Sequence, residues 1–326
     1  MKALITGVTG FAGGFLAEHL LEMGDEVLGC STGGGWPPEN PERRSPALSV
    51  RKRIEVLHWD LGAASGLDPH ARDRIAEFAP TCIYHLAAIS VPGFCGADEP
   101  TAKALAVNVE GTSRVLELAA SLSPRPRVLF TSTSHVYAPS KPGSRFNEAV
   151  PLGPRRGYGK TKLAAEQRVA AACREGRLDC VIARAFQHTG PRQEPEMMLP
   201  EWCQQLVLGD SGPVRVRSLN TWIDLSDVRD VVRAYRLLVE RGASGGIYNV
   251  GSGVPQRTGE IFQQLMTLAG SARPTSELSA AGEKWDPIAD IGLLTGTTGW
   301  RPQIPLEKTL ADTLEYWRQR AKDELT

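Results

Sequence analysis

The chain has 326 residues, 41% of them hydrophobic, enough for one large or two modest domains around a sizeable core. Lys plus Arg and Asp plus Glu both number 37, so no overall field draws the protein to nucleic acid or to an anionic membrane, and neither is expected as a partner. No apolar run approaches the ~18 to 20 residues of a membrane span, the glycine-rich start leaves no room for a secretory leader, and a cytoplasmic location is expected.

Lys2-Ala3-Leu4-Ile5-Thr6 is an apolar run of strand length. Gly7, Gly10 and Gly13 follow at three-residue spacing, and residues 11–21 carry apolar side chains at helical period. A strand, a glycine-rich turn and a helix N-terminus place backbone N–H groups and the positive end of a helix dipole where a pyrophosphate can sit. The glycine pattern gains its meaning from that context.

Further strands are expected at 26–30, 54–58, 81–86, 127–131 and 180–184, with helices at 67–78, 100–121 and around Tyr158. This alternation predicts an α/β fold, a doubly wound parallel sheet of Rossmann type. Right-handed crossovers then bring Gly7, Asp60, Ala87, Thr133 and Tyr158 to the carboxyl ends of the strands. The stretch 31–52 departs from the alternation. It holds three consecutive glycines, Pro37, Pro38, Pro41, Pro46, Arg43 and Arg44, and reads as a functional connection that is poorly ordered without ligand.

In the second half a helix at 227–240 and a strand at 246–250 are expected to rejoin the sheet, while helices at 200–208, 259–269 and 306–321 belong to a smaller C-terminal lobe. The expected division is a dinucleotide-binding domain at 1–186 plus 223–250 and a substrate lobe at 187–222 plus 251–326. Trp202, Trp222 and Trp285 offer stacking surfaces for a base, or else core packing. Cys30, Cys82, Cys95, Cys173, Cys180 and Cys203 show no paired short spacing, so no metal site and no disulfide framework are expected.

Tyr158 and Lys162 stand four residues apart, on one face of a helix. A phenol titrates near ~10 and exchanges protons poorly at neutral pH unless a neighbouring cation favours the phenolate. Such a pair also occurs on solvated helices. The nucleotide-type turn at the start of the chain is what points to chemistry.

Gly7-Val8-Thr9-Gly10-Phe11-Ala12-Gly13, Asp60-Leu61, His85-Leu86-Ala87-Ala88, Asn108-Val109-Glu110-Gly111-Thr112, Thr131-Ser132-Thr133-Ser134-His135-Val136-Tyr137, the Tyr158/Lys162 pair and Gly299-Trp300-Arg301-Pro302 occur in this order. With them the chain resembles, over nearly its whole length, the extended short-chain dehydrogenase/reductase family of NAD-dependent epimerases and dehydratases. The stretches 184–191 and 224–230 look most like its GDP-mannose 4,6-dehydratase and GDP-4-keto-6-deoxy-mannose reductase branch.

The resemblance implies a nucleotide-sugar substrate and a homodimer, with Leu105, Val109, Val115 and Leu118 on the interface helix. Tyr158 would be the general acid/base, Lys162 would hold the nicotinamide ribose, and Thr133 would bond the reacting sugar oxygen. Asp60 would meet the adenine. Further cofactor contacts are assigned to Gly7, Thr9, Gly10, Phe11, Ala12, Gly13, Ser31, Thr32, Leu61, Leu86, Ala87, Ala88, Asn108, Thr131, Ala185 and His188, and substrate contacts to Gln187, Arg192 and Arg217.

In the family's dehydratases an acidic residue follows the Ser132-Thr133-Ser134 motif, and here that position is His135, an imidazole that could still move protons. The second strand ends Cys30-Ser31-Thr32, without the carboxylate that binds the ribose 2′-hydroxyl of NAD. Ser31 and Thr32, with Arg43 or Arg44, could instead meet a 2′-phosphate, which favours NADP(H) over NAD(H). The leading reading is therefore an NADP(H)-dependent reductase of a 4-keto-6-deoxy nucleotide sugar. A 4-epimerase with tightly bound NAD and a dinucleotide-sensing protein are the alternatives. Two family arginines that meet the diphosphate correspond to Ile223 and Asp286, and Gln187 replaces an asparagine. Each lost charge-assisted bond would cost roughly 1.5 to 3 kcal/mol, with Arg192, Arg215, Arg217 or Lys284 available to compensate.

Overall fold

The computed structural model describes residues 1–37, 46–139, 141–209, 211–279 and 282–323. Seven strands form the central sheet: β1 (Lys2–Thr6), β2 (Glu26–Ser31), β3 (Glu55–His58), β4 (Cys82–His85), β5 (Arg127–Thr133), β6 (Cys180–Ala185) and β7 (Ile247–Val250). They lie in the order 7-6-5-4-1-2-3, and every pairing is parallel. Strands covered on both faces are near-continuous apolar runs, and all four residues of β4 and all six of β6 are buried.

One face of the sheet packs against helices Phe11–Glu22 and Val228–Arg241 through Ile5, Leu16, Val231 and Leu238. The other packs against Pro69–Phe78, Gly111–Ser121 and Gly157–Arg174 through Leu4, Ile75, Val115 and Val169. The order reverses between β1 and β4, and a parallel sheet opens a ligand crevice beyond the strand ends at such a point.

Local chemistry fixes the ends of the elements. Asp68 accepts bonds from the backbone N–H of His70 (2.9 Å) and Ala71 (3.3 Å), and Pro69 follows it, so this helix begins at Pro69 rather than 67. The helix expected at 100–121 is capped by Thr101, runs from Ala102 to Leu105, loosens into a π turn at Ala106–Glu110 and resumes at Gly111–Ser121. Its Val109, Val115 and Leu118 are buried inside this chain, whereas Leu105 is 41% exposed. Of the apolar set read as an interface, only Leu105 is left facing outward.

Within 31–52, Ser31 completes β2 and Leu48–Arg51 forms one helical turn. Arg43 and Arg44 lie outside the described residues. In the smaller lobe, strand Thr221–Asp227 pairs with Pro255–Arg257, Lys284–Trp285 and Gln187–Thr189, so the boundary expected at 223 falls inside a strand. Helices Met198–Leu208, Thr258–Ala269 and Leu306–Asp323 close over it around Trp202, Phe262 and Trp317. Ile223 is 2% exposed within this core and presents nothing to a diphosphate.

All six cysteines are free thiols. Among the described residues no helix is long and apolar enough to cross a membrane, and no His/Cys/Asp/Glu cluster has the arrangement of a metal site.

Candidate active site

A cavity of about 770 Å³ opens beyond the ends of β1, β4, β5 and β6, between the sheet and the smaller lobe. Its floor is the glycine turn. Gly7 has φ +76°, and a Cβ there would stand 2.9 Å from the Ala87 backbone; a Cβ on Gly13 would stand 2.1 Å from the Gly7 carbonyl oxygen. Only glycines let the turn fold this tightly against helix Phe11–Glu22. That helix has no side-chain cap, so the N–H groups of its first turn, at Phe11, Ala12 and Gly13, have no intrahelical acceptor and suit an anion. These residues fit a dinucleotide pyrophosphate.

Thr133 ends β5, Tyr158 lies in the first turn of helix Gly157–Arg174, and Lys162 follows one turn later. All three line the cavity. Close approach of helix and strand is again a matter of missing side chains, since a Cβ on Gly159 would stand 2.3 Å from the His135 carbonyl oxygen. Burial pushes the Tyr158 phenol up to about 12, with Cys95 adding to the rise and the Thr133 hydroxyl opposing it, so the phenol is raised rather than lowered as a neighbouring cation alone would make it. Lys162 is 3% exposed, and its Nζ sits 4.3 Å from the centre of the Phe130 ring. Burial draws its pKa down to about 7, against the pull of Glu166 and Cys95.

His135 stands edge-on to Tyr158, ring centres 5.8 Å apart. The side chain is exposed, yet desolvation by the surrounding protein lowers its pKa; Asp286 opposes the shift, and Lys284 and Arg156 add to it. His135 is therefore neutral at pH 7.

Behind these groups lies a second layer. His85 is buried with Nδ1 2.7 Å from Thr6 Oγ1 and Nε2 2.9 Å from Thr112 Oγ1, and burial holds it down to about 3 with the Lys162 charge contributing. A neutral imidazole thus ties β1 and β4 to helix Gly111–Ser121. Asn108, in the π turn, accepts from Ile89 N (2.8 Å) and donates to Ile89 O and Thr161 Oγ1 (both 3.0 Å). Its amide pins the loop after β4 to the Tyr158 helix and lies behind the cavity wall. Glu166 accepts from Ser132 Oγ (2.7 Å) and from Arg184 Nε (3.2 Å), while Arg184 also meets the Tyr137 hydroxyl (3.1 Å). A fully paired buried charge of this kind fixes the helix one turn beyond Lys162.

Of the cofactor residues named from sequence, Gly7, Gly10, Phe11, Ala12, Gly13, Leu86, Ala87, Ala88, Thr131, Tyr158, Lys162, Ala185 and His188 line the cavity. His188 stacks on Phe11, with centroids 6.1 Å and planes 7° apart. Thr9, Ser31, Thr32, Asp60 and Leu61 do not line it. Ser31 Oγ donates to the Gly35 carbonyl (3.2 Å), Asp60 accepts from Gly62 N (2.8 Å), and Leu61 is buried in the core.

Gln187 lines the cavity and donates to Asp286 (2.9 Å), which also pairs with Lys284 (2.9 Å). Arg192 does not reach it, because it is ion-paired to Glu18 with its guanidinium 3.8 Å from the Phe15 ring centre. Arg215 and Arg217 are exposed and lie outside the lining. Trp202 is core, edge-on to Phe262, whereas Trp222 and Trp285 stack on each other at 4.9 Å and 13°. Sequence reasoning missed Val91, Phe94, Gln193, Glu194, Glu196, Met197, Met198 and Tyr235. The loop residues follow no periodicity, and Tyr235 reads as one more apolar position on a helix.

A model of the NAD dependent epimerase/dehydratase family matches residues 3–251. The chain is 28% identical to UDP-glucose 4-epimerase of Mycolicibacterium smegmatis, covering 99% of this chain and 100% of that one, and 27% identical to GDP-6-deoxy-D-mannose reductase of Pseudomonas aeruginosa, covering 99% of each. The solved structure of Thermus thermophilus UDP-glucose 4-epimerase in complex with NAD superposes with TM-score 0.81 at 25% identity, covering 98% of this chain and 99% of that one. Glycine turn, reversed strand order, Tyr158/Lys162 helix and these likenesses agree: the chain belongs to the NAD dependent epimerase/dehydratase family.

Proposed function

We propose that the protein is an NADP(H)-dependent reductase of a 4-keto-6-deoxy nucleotide sugar, similar in reaction to GDP-6-deoxy-D-mannose reductase. The observation that carries this reading is the corner around Tyr158. It offers a phenol, the Thr133 hydroxyl and a neutral imidazole, while the described carboxylates that line the cavity, Glu194 and Glu196, come from a different segment. A phenol with a raised pKa is a proton donor at neutral pH, as reduction requires. Without a carboxylate beside Thr133, elimination of water has no acid of its own.

A bound nicotinamide would supply or remove hydride. The protein's own groups do the rest. Tyr158 gives its proton to the carbonyl oxygen as charge builds there, Thr133 donates a hydrogen bond to the same atom, and Lys162, one turn along the helix, would hold the nicotinamide ribose. Gly7 and the first turn of helix Phe11–Glu22 would hold the pyrophosphate, and Phe11, Ala87 and His188 would wall the cofactor. The β2 terminus supports NADP(H), since Cys30, Ser31 and Thr32 carry no charge that repels a 2′-phosphate. The reading includes a homodimer formed through the helical segment 105–120, where Leu105 faces outward, and helix Gly157–Arg174, testable by sedimentation.

The test is incubation of purified protein with NADPH and a GDP-linked 4-keto-6-deoxy sugar. Stoichiometric loss of NADPH absorbance with formation of the deoxy sugar is expected. NAD retained through purification, with interconversion of two sugar epimers and no net oxidation, would instead establish the epimerase.

A further inference from the structure

Tyr235 sits in helix Val228–Arg241, on the side of the sheet covered by the first helix, and packs with Val8, Phe15 and Val231. It is 2% exposed, and it also lines the cavity. Among the other buried tyrosines, Tyr137 donates to Asn249 at 2.6 Å and Tyr248 accepts from Ala243 N at 2.9 Å, while the Tyr84 hydroxyl is sealed in the core without a partner. The Tyr235 hydroxyl differs from all three, since it has no partner among the described residues and is not sealed from the cavity. Burial raises its pKa with the phenol of Tyr158 contributing, and no described group donates to its hydroxyl or accepts from it.

A hydroxyl that opens on a cavity without a protein partner is free to donate to a ligand there, whereas phenylalanine would fill the same space with nothing to donate. The surrounding helix is otherwise built of ordinary core residues, Val231, Val232, Ala234 and Leu238. Tyr235 is the residue of this helix that lines the cavity. Helix Val228–Arg241 packs against β5 and β6, whose ends carry Thr133 and Ala185, and this puts Tyr235 toward the reacting end of the cavity rather than toward Ser31 and Asp60.

We propose that Tyr235 is a cofactor-binding residue whose hydroxyl hydrogen-bonds the nicotinamide end of the bound dinucleotide. The inference rests on the reading that this cavity takes a nicotinamide dinucleotide. The phenol remains neutral throughout, so it positions the ring without competing with Tyr158 for a proton. Amide and ribose oxygens are both acceptors for such a donor.

Tyr235→Phe tests this, because it removes one oxygen and leaves the packing intact. Dissociation constants for NADPH, NADH and 2′-phospho-ADP-ribose, which lacks nicotinamide, are measured for wild type and variant, together with the melting temperature of each ligand-free protein. The variant is expected to bind the tighter nicotinamide dinucleotide about fivefold to tenfold more weakly, by the loss of one hydrogen bond, and 2′-phospho-ADP-ribose unchanged. Its ligand-free melting temperature should equal or exceed wild type. Unchanged dinucleotide affinity, equal weakening of all three ligands, or a lower melting temperature would overturn the proposal. Failure of wild type to bind NADPH or NADH would instead remove the dinucleotide reading beneath it.

Discussion

On the wall that carries Gly7, Gly13, Thr133, Tyr158 and Lys162, each group leaves the end of a strand or the first turns of a helix. The facing wall, Gln187 and 193–199, is drawn mostly from the irregular stretch between strand Gln187–Thr189 and helix Met198–Leu208. The first wall is over-determined: Gly13 is pressed on Gly7, Asn108 ties Ile89 to Thr161, and Glu166 is held by Ser132 and Arg184. The second is tied to the smaller lobe by the bond from Gln187 to Asp286, and otherwise to its own neighbourhood, where Gln193 accepts from Thr189 Oγ1 (2.6 Å) and donates to the His188 carbonyl (3.0 Å). Chemistry common to many substrates needs fixed geometry, whereas recognition of one substrate tolerates variable loops on a rigid scaffold.

If the rigid wall performs the reaction, Tyr158→Phe should lower kcat for carbonyl reduction by roughly a hundredfold to ten-thousandfold, the range for loss of a positioned proton donor. Its dinucleotide affinity should be unchanged, which titration of the ligand-free protein would check. A fall in affinity equal to the fall in kcat would mean that the phenol binds rather than reacts. Gly13→Ala should be nearly as severe in a different measurement. The added Cβ would stand 2.1 Å from the Gly7 carbonyl oxygen, and relief of that overlap should cost about 3 kcal/mol, read as a hundredfold loss of dinucleotide affinity or as instability.

A third prediction concerns pH. Lys162 titrates at about 7 in the fold against 10.5 unperturbed. Below that window both folded and unfolded chains hold its proton. Within it the unfolded chain binds more protons, so this lysine makes stability rise with pH. Dinucleotide binding should move the other way, since the ammonium that attracts it is lost, weakening by up to about tenfold per pH unit above the folded pKa. In Lys162→Met that dependence should flatten. A wild-type dissociation constant that stays level across the window would show that the ligand does not need the charge.

The smallest effect is expected on the facing wall. Gln187→Leu should raise KM for the keto sugar by about threefold to tenfold, the value of one hydrogen bond, with kcat within a factor of about two. A large loss of kcat there would erase the distinction between the walls.

Much of the rigid wall was legible because its physics is local. A tight turn under a phosphate requires glycine at Gly7 and Gly13, and proton exchange beside a cation requires Tyr158 and Lys162 one turn apart. The strands were equally plain, since both faces of the sheet are buried. Asn108 was visible as a motif residue, but the structure gives its amide to Ile89 and Thr161 instead of the cavity. Arg192 was named as a substrate contact from its charge, which Glu18 takes up 174 positions away.

The sequence by itself determined the parallel α/β sheet, the glycine turn and the placing of Tyr158 and Lys162 one turn apart on a helix, because spacing along one strand or helix sets each of them. Only the tertiary structure decided that Ile223 is core, that Glu166 is clamped by Arg184, that Met197 and Phe94 line one cavity and that Tyr235 brings an unpartnered hydroxyl to it. Those facts depend on which distant segments meet, and chain-local periodicity carries no information about a contact made across the fold.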